Sequence, residues 1–70
     1  MKEYIIVGDT KEYKDCLIYV CGYSIEHTEK VLNRMLNNPT KYDEKAMTGL
    51  TNLKIKEVNS EDCWWNYNCD

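Results

Sequence analysis

Residues 4–22 read YIIVGDTKEYKDCLIYVCG, and this stretch decides the fold of the chain. Two apolar runs, residues 4–7 and residues 16–21, each end at a glycine and enclose a polar, charged segment. Runs of β-branched and aromatic residues bounded in this way are typical of strands, so we predict an antiparallel hairpin. Both runs are apolar at consecutive positions, which is the pattern of strands that are buried on both faces.

A helical pattern follows the second run. Ser24 is a preferred N-cap residue, and Pro39 marks the end of the helix because the residue before proline avoids the α conformation. The apolar positions in between recur with the helical period and form one stripe: Ile25, Thr28, Val31, Leu32, Met35 and Leu36. Thr40 caps a second, short helix that Gly49 ends, and we interpret Asp43 as an acidic residue of its first turn.

The next pattern alternates apolar and basic residues and predicts a third strand over residues 51–58 with one solvated face. The alternating positions are Leu53, Lys54, Ile55 and Lys56. Val58 is out of phase with this alternation, which we interpret as a bulge or as the end of the strand.

These elements predict one small α+β domain over residues 1–70, in the order ββα(α)β. The sheet is three-stranded and mainly antiparallel, with strand order 2-1-3, and the main helix covers one of its faces. Strands that are apolar on both faces then leave one apolar face without a helix over it. A large exposed apolar patch is rare in a monomer, so a lid from the same chain, a second copy or another protein must cover this face.

Residues 60–70, the C-terminal segment, combine aromatic and acidic side chains and are predicted to form this lid. The same residue types act as anchors at protein interfaces. We therefore predict a partner-binding set in which the aromatic residues are the anchors and the acidic residues form the rim: Trp64, Trp65, Tyr67, Glu61 and Asp62. The alternative is that both tryptophans only seal the sheet.

Charge and composition exclude several classes of function. The net charge is −3, from nine basic and twelve acidic residues, and no basic stripe indicates nucleic-acid binding. No apolar run suits a membrane, and the apolar run at the start is too short for a signal peptide, so we expect a cytoplasmic protein with reduced cysteines. Abundant Lys, Asn, Ile and Tyr have AT-rich codons, which suggests an accessory gene of a low-GC bacterium or its phage.

The four cysteines predict no metal site and no cofactor. Cys16 and Cys21 lie at opposite ends of a predicted strand, unlike zinc ligands that are two to four residues apart on a turn. Cys63 and Cys69 are close enough to pair with each other, and either could reach a strand end, but a reducing compartment argues against a disulfide. The one histidine, His27, follows Cys21 at a helix N-terminus, which would lower the pKa of the thiol.

From these patterns we expect a non-enzymatic protein-interaction module, encoded by a phage or mobile element, that inhibits or modulates a host protein. The alternative is a small homo-oligomer that binds a small-molecule ligand between its subunits. A third interpretation is a thiol enzyme centred on Cys21 and His27, although no third catalytic group or oxyanion hole is recognisable.

Overall fold

The structure, a computed structural model, describes residues 2–59 of the chain. Five elements follow one another: β1 (Lys2–Asp9), β2 (Cys16–Gly22), α1 (Ile25–Asn37), α2 (Lys41–Met47) and β3 (Thr51–Asn59). The predicted element order and the α+β class are confirmed. The predicted aromatic lid and its five partner-binding residues, all within residues 60–70, lie outside the described residues.

The three strands form one antiparallel sheet in the order β2-β1-β3, as predicted. The middle strand β1 is buried on both faces, because Ile5, Ile6 and Val7 are each 0% exposed although they alternate between the faces. Consecutive apolar residues in β1 therefore do indicate burial on both sides.

Strand β2 carries two irregularities in its pairing with β1. Ile5 and Ile6 pair with Val20 and Tyr19, and on either side of this pair β2 contains one residue more than β1 does. The two extra residues are Ile18 and Cys21. Each is a β-bulge, which bends the strand and increases its twist. The edge formed by β2 is therefore curved rather than flat.

The pairing of β1 with β3 shows which residues share a face. Ile6 pairs with Ile55, whereas Ile5 pairs with Lys56 and Glu3 pairs with Val58. We name the second of these faces the lysine face; its described members are Glu3, Ile5, Val7, Leu17, Val20, Lys54, Lys56 and Val58.

Val58 is out of phase with Leu53 and Ile55, as the sequence indicates, and lies one residue before the end of β3, but it marks no bulge. It lies within the regular register of β3, whose irregularity is at the other end, between Val7 and Asp9. Val58 follows Lys54 and Lys56 on the same face and is only 4% exposed. The lysine face is consequently not simply solvated, because it carries a buried cluster of Ile5, Val7 and Val58 against which Leu17 packs.

Helix α1 begins and ends where the sequence predicts. The Ser24 side chain accepts a hydrogen bond from the backbone N–H of His27 at 3.2 Å, and the helix ends at Asn37. The apolar stripe is buried only along its centre, where Thr28 and Met35 face the sheet. At its borders, Ile25 and Leu36 are 38% and 58% exposed, so the stripe is wider than the surface that it covers.

Helix α2 has the predicted N-cap at Thr40, and a second hydrogen bond between Thr40 and Asp43 completes the cap. The hydroxyl of Thr40 accepts from the N–H of Asp43 at 3.1 Å, and the Asp43 carboxylate accepts from the N–H of Thr40 at 3.0 Å, which forms a capping box. Gly49 follows with a φ of 79°, a conformation that favours glycine, and separates α2 from β3.

Both helices contact the face of the sheet that carries Ile6. Tyr19, which pairs with Ile6, donates its hydroxyl proton to Asp43 of α2 at 2.9 Å. A side chain on Gly8, two residues further along β1, would approach Leu50. We name the face of the sheet that carries Ile6 and Tyr19 the helix face. Among residues 2–59, neither helix is long and apolar enough to cross a membrane.

The cysteines of β2 differ in state. Cys16 is disulfide-bonded and 2% exposed, whereas Cys21 is a free thiol. The expectation that the cysteines are reduced is therefore wrong for Cys16. That expectation rested on the compartment alone and not on which residues the fold brings together.

Candidate functional site

A buried carboxylate joins the two helices. Asp43 is 1% exposed, and both of its oxygens accept hydrogen bonds from Arg34 of α1. The Arg34 Nε to Oδ2 distance is 2.9 Å, and the Nη2 to Oδ1 distance is 2.8 Å. Such a bidentate pair fixes both the distance and the orientation of its partners. It holds α2 against α1 across the turn at Pro39.

Two more donors complete the environment of Asp43. Tyr19 of β2 donates to Oδ1 and the Thr40 backbone donates to Oδ2, so three elements meet at this carboxylate. The Arg34 guanidinium and the Thr40 N–H hold the pKa of Asp43 well below its usual range, although burial opposes this. In contrast, burial and the neighbouring carboxylate raise the pKa of Tyr19.

A groove lies beside this cluster, between β2 and α1. Its volume is about 250 Å³, and its lining combines apolar, cationic and thiol side chains: Tyr19, Val20, Cys21, His27, Val31 and Arg34. We name this feature the β2 groove.

The β2 groove contains the two residues of the predicted thiol site, Cys21 and His27. Burial raises the pKa of the Cys21 thiol, so the prediction of a lowered pKa is wrong. Contact with Thr28 and the charge of Arg34 oppose this rise. However, Thr28 donates its one hydroxyl proton to the carbonyl of Ser24 at 2.8 Å, and therefore cannot also donate to a thiolate.

The strand that borders the groove is an uncharged edge. Residues 16–22 read CLIYVCG, and no described strand pairs with the outer side of β2. Val20 is 43% exposed on this strand, and Tyr23 just beyond it is 59% exposed. An edge strand without charges lacks the charge repulsion that discourages an added chain, although the two bulges of β2 bend this edge.

A second polar cluster lies at the other end of the sheet and has a structural role. Asp15 forms a salt bridge with Lys54 at 2.8 Å and accepts a hydrogen bond from Lys56 at 2.9 Å, and these lysines lower its pKa. Asp9 accepts from the N–H of Asp15 and from the Asn52 side chain, both at 3.0 Å. These contacts fasten the hairpin loop to the start of β3. Within residues 2–59, no group of three His, Cys, Asp or Glu is arranged to hold a metal ion.

Sequence reasoning found part of this site and missed its centre. Cys21 and His27 were candidates, and the structure places both in the β2 groove. The sequence indicates Asp43 only as an acidic residue of the first turn of α2, and this interpretation misses the pair that Asp43 forms with Arg34. One signal was present, because Thr40-x-x-Asp43 is a capping-box pattern that turns the carboxylate back over the helix start.

The chain was also compared with known proteins. No family model, no curated protein and no solved structure matches it. The site must therefore be understood from its own geometry.

Proposed function

We propose that the protein is a non-enzymatic interaction module, and that an extended segment of another protein pairs with the outer side of β2. The observation that supports this most directly is the uncharged edge of β2 beside an open groove. Strand addition of this kind gives affinity through backbone hydrogen bonds, and neighbouring pockets give specificity.

The two edges of the described sheet differ in a way that favours β2. Strand β3 carries Lys54, Lys56 and Glu57, whereas β2 carries no charged residue. Charged residues on edge strands discourage pairing with a further strand. We therefore assign the partner to β2, with its register set by the two bulges.

The β2 groove indicates what the added strand would present. Val20 and Val31 supply apolar surface, while Arg34 is already neutralised by Asp43. An apolar side chain of the partner fits this lining better than an acidic one, because the nearby cation already has its anion. Cys21 contributes as a small apolar group, since burial raises the pKa of its thiol.

The remaining expectations belong to the same proposal. One of Trp64 and Trp65, with Tyr67, would extend the contact to the partner, and Glu61 and Asp62 would set charge complementarity at the rim. The partner would be a host protein in the cytoplasm that is inhibited or modulated. The gene would belong to a phage or mobile element, as the codon composition suggests.

A pair of matched variants tests the proposal. Peptides selected from a displayed random library on the wild-type protein are titrated against Val20→Lys and, as a control, Leu36→Lys. Leu36 is also an exposed apolar residue, but it lies on α1 and does not line the groove. We expect Val20→Lys to weaken binding by about tenfold or more, because a charge is placed on the pairing edge, and Leu36→Lys to have no effect.

Hydrogen exchange locates the bound peptide directly. Strand addition should slow exchange of outward-facing amides within residues 16–22, whereas binding elsewhere would leave them unchanged. Equal binding by both lysine variants would refute the assignment to β2. Sedimentation tests the homo-oligomer alternative. If the wild-type protein is a dimer and Val20→Lys dissociates it, the added strand is that of a second copy of the chain.

A further inference from the structure

Asp43 lies outside the β2 groove but binds two of the residues that line it. Its side chain is 1% exposed and takes no part in the lining, whereas two of its donors, Tyr19 and Arg34, both do. The Arg34 side chain is 45% exposed. A molecule that enters the groove therefore meets the guanidinium of this pair and not the carboxylate behind it.

The guanidinium of Arg34 keeps hydrogen-bond donors after it has bound Asp43. Its Nε and Nη2 atoms donate to the carboxylate, and the described residues, 2–59, supply no acceptor for Nη1. A guanidinium carries N–H groups on all three nitrogens and stays protonated in proteins. Arg34 therefore offers N–H groups to a ligand although its charge is already compensated.

We propose that Asp43 determines the specificity of the β2 groove: by compensating Arg34, it makes the groove accept a neutral amide rather than a carboxylate. The inference rests on the proposed function, since the amide would belong to a side chain of the segment that pairs with β2, such as that of a glutamine. It adds the chemical class of the side chain that enters the groove, and the buried residue that sets this class.

The two charges of the pair explain why a carboxylate is disfavoured. A carboxylate at Nη1 would be attracted by the guanidinium and repelled by Asp43, whose Oδ1 is 2.8 Å from Nη2. Because Coulomb energy falls only with the inverse of distance, the second charge offsets much of the first. A carboxylate also loses more solvation than an amide when it leaves water. The amide carbonyl can accept from Nη1 without this loss.

The rest of the lining suits the apolar part of such a side chain. Val20 and Val31 provide apolar surface, and burial raises the pKa of the Cys21 thiol, which keeps it uncharged. The groove has a volume of about 250 Å³, which is below the range of roughly 300–1,000 Å³ that drug-sized ligands occupy. A single side chain is therefore a suitable occupant.

Asp43→Asn removes the charge and can keep most of the contacts. The amide oxygen can accept from Arg34 Nε and from the Thr40 N–H in place of Oδ2, and the amide nitrogen can donate to the Tyr19 hydroxyl. Arg34 would then carry an uncompensated positive charge beside the groove. The preference of the groove should change from an amide to a carboxylate.

Benzamide and benzoate test this change in the intact protein, because they share a ring and differ in charge. Each is titrated at about pH 8, where a carboxylate is ionised and an unperturbed imidazole is neutral, and binding is followed through the methyl resonances of Val20 and Val31. We expect the wild-type protein to bind benzamide at least as tightly as benzoate. In Asp43→Asn, the affinity for benzoate relative to benzamide should rise about tenfold or more, and added salt should reduce this gain.

Two further variants separate an effect of charge from an effect on the fold. Glu44→Gln removes one negative charge from the next residue of α2, which is exposed, and should leave the preference of the groove unchanged. Asp43→Asn combined with Arg34→Met loses the same carboxylate but also lacks the cation, so it should gain no affinity for benzoate. Urea unfolding shows whether each variant is folded.

The inference can be overturned by the wild-type protein alone. If benzamide leaves the resonances of the groove unmoved, or if benzoate binds more tightly than benzamide, it is wrong even where Asp43→Asn fails to fold. Stronger benzoate binding in the double variant, or none in a folded Asp43→Asn, would also contradict it.

These results are separate from the test of strand addition, because neither probe is a peptide. If the groove distinguishes the two probes as expected but peptide binding does not respond to Val20→Lys, the proposed function fails and the specificity of the groove stands. If peptides respond to Val20→Lys but the probes show no change in Asp43→Asn, only the role of Asp43 is wrong.

Discussion

The hydrogen bond from Tyr19 to Asp43 is the contact whose contribution can be tested most cleanly. Tyr19→Phe removes only the hydroxyl, which lies 2.9 Å from Oδ1 of the carboxylate. A hydrogen bond to a charged acceptor contributes about 1.5–3 kcal/mol to stability. Tyr19 is half-buried and Asp43 keeps its donors from Arg34 and Thr40, so we take the lower end, about 1.5 kcal/mol.

The assay is urea unfolding of Tyr19→Phe beside Tyr42→Phe. Tyr42 is the matched control, because it lies in α2, next to Asp43 in sequence, but is 82% exposed. For a domain of this size, the loss in Tyr19→Phe corresponds to a fall in Tm of roughly 6–12 °C. If Tyr19→Phe is as stable as the control, the carboxylate does not depend on β2, and the description of Asp43 as the junction of three elements fails.

Other predictions follow from the same structure. The pKa values of Asp43 and Asp15 are lowered on folding, so the stability that they contribute is present above the unfolded pKa of about 3.9 and is lost as the pH falls toward the folded values. Unfolding free energies should therefore be level between about pH 7 and 5 and should fall below about pH 4, with a smaller slope in Asp43→Asn, which acid titrations of stability would show. Cys21 should react slowly with iodoacetamide at neutral pH in the native state because burial raises its pKa, and alkylation as fast as that of a free thiol would contradict this. Gly49→Ala should lose about 1 kcal/mol because its φ is 79°, although nothing lies within 4 Å of the added carbon, and an unchanged urea midpoint would contradict the strain argument.

The features that the sequence predicted correctly are those that depend on neighbours along the chain. The caps at Ser24 and Thr40 and the stop at Gly49 each require only a few adjacent residues, and all three are confirmed. The sheet order was also predictable, because a right-handed crossover from β2 through the main helix places β1 between β2 and β3. These features needed no knowledge of which distant residues meet.

The features that were missed depend on contacts between separate elements. Arg34 and Asp43 belong to different helices, and Tyr19 reaches them from β2, so only the assembled fold shows that the three converge. The lysine face was misread for a related reason. An alternation between apolar and basic residues normally marks a solvated face, whereas here the lysines turn to Asp15 and leave the face apolar at its other end.

The pairing of Lys2 with Asn59 has a consequence for synthesis on the ribosome. The central strand β1 is the first described element to be made, and one of its two partners, β3, is the last. At about 5–20 residues per second, the forty or so residues between them take roughly 2–8 s to add. For that interval β1 can pair only with β2, so one side of the most buried strand stays unpaired while α1 and α2 are made. The central strand of the sheet is therefore the one whose second pairing partner is made last.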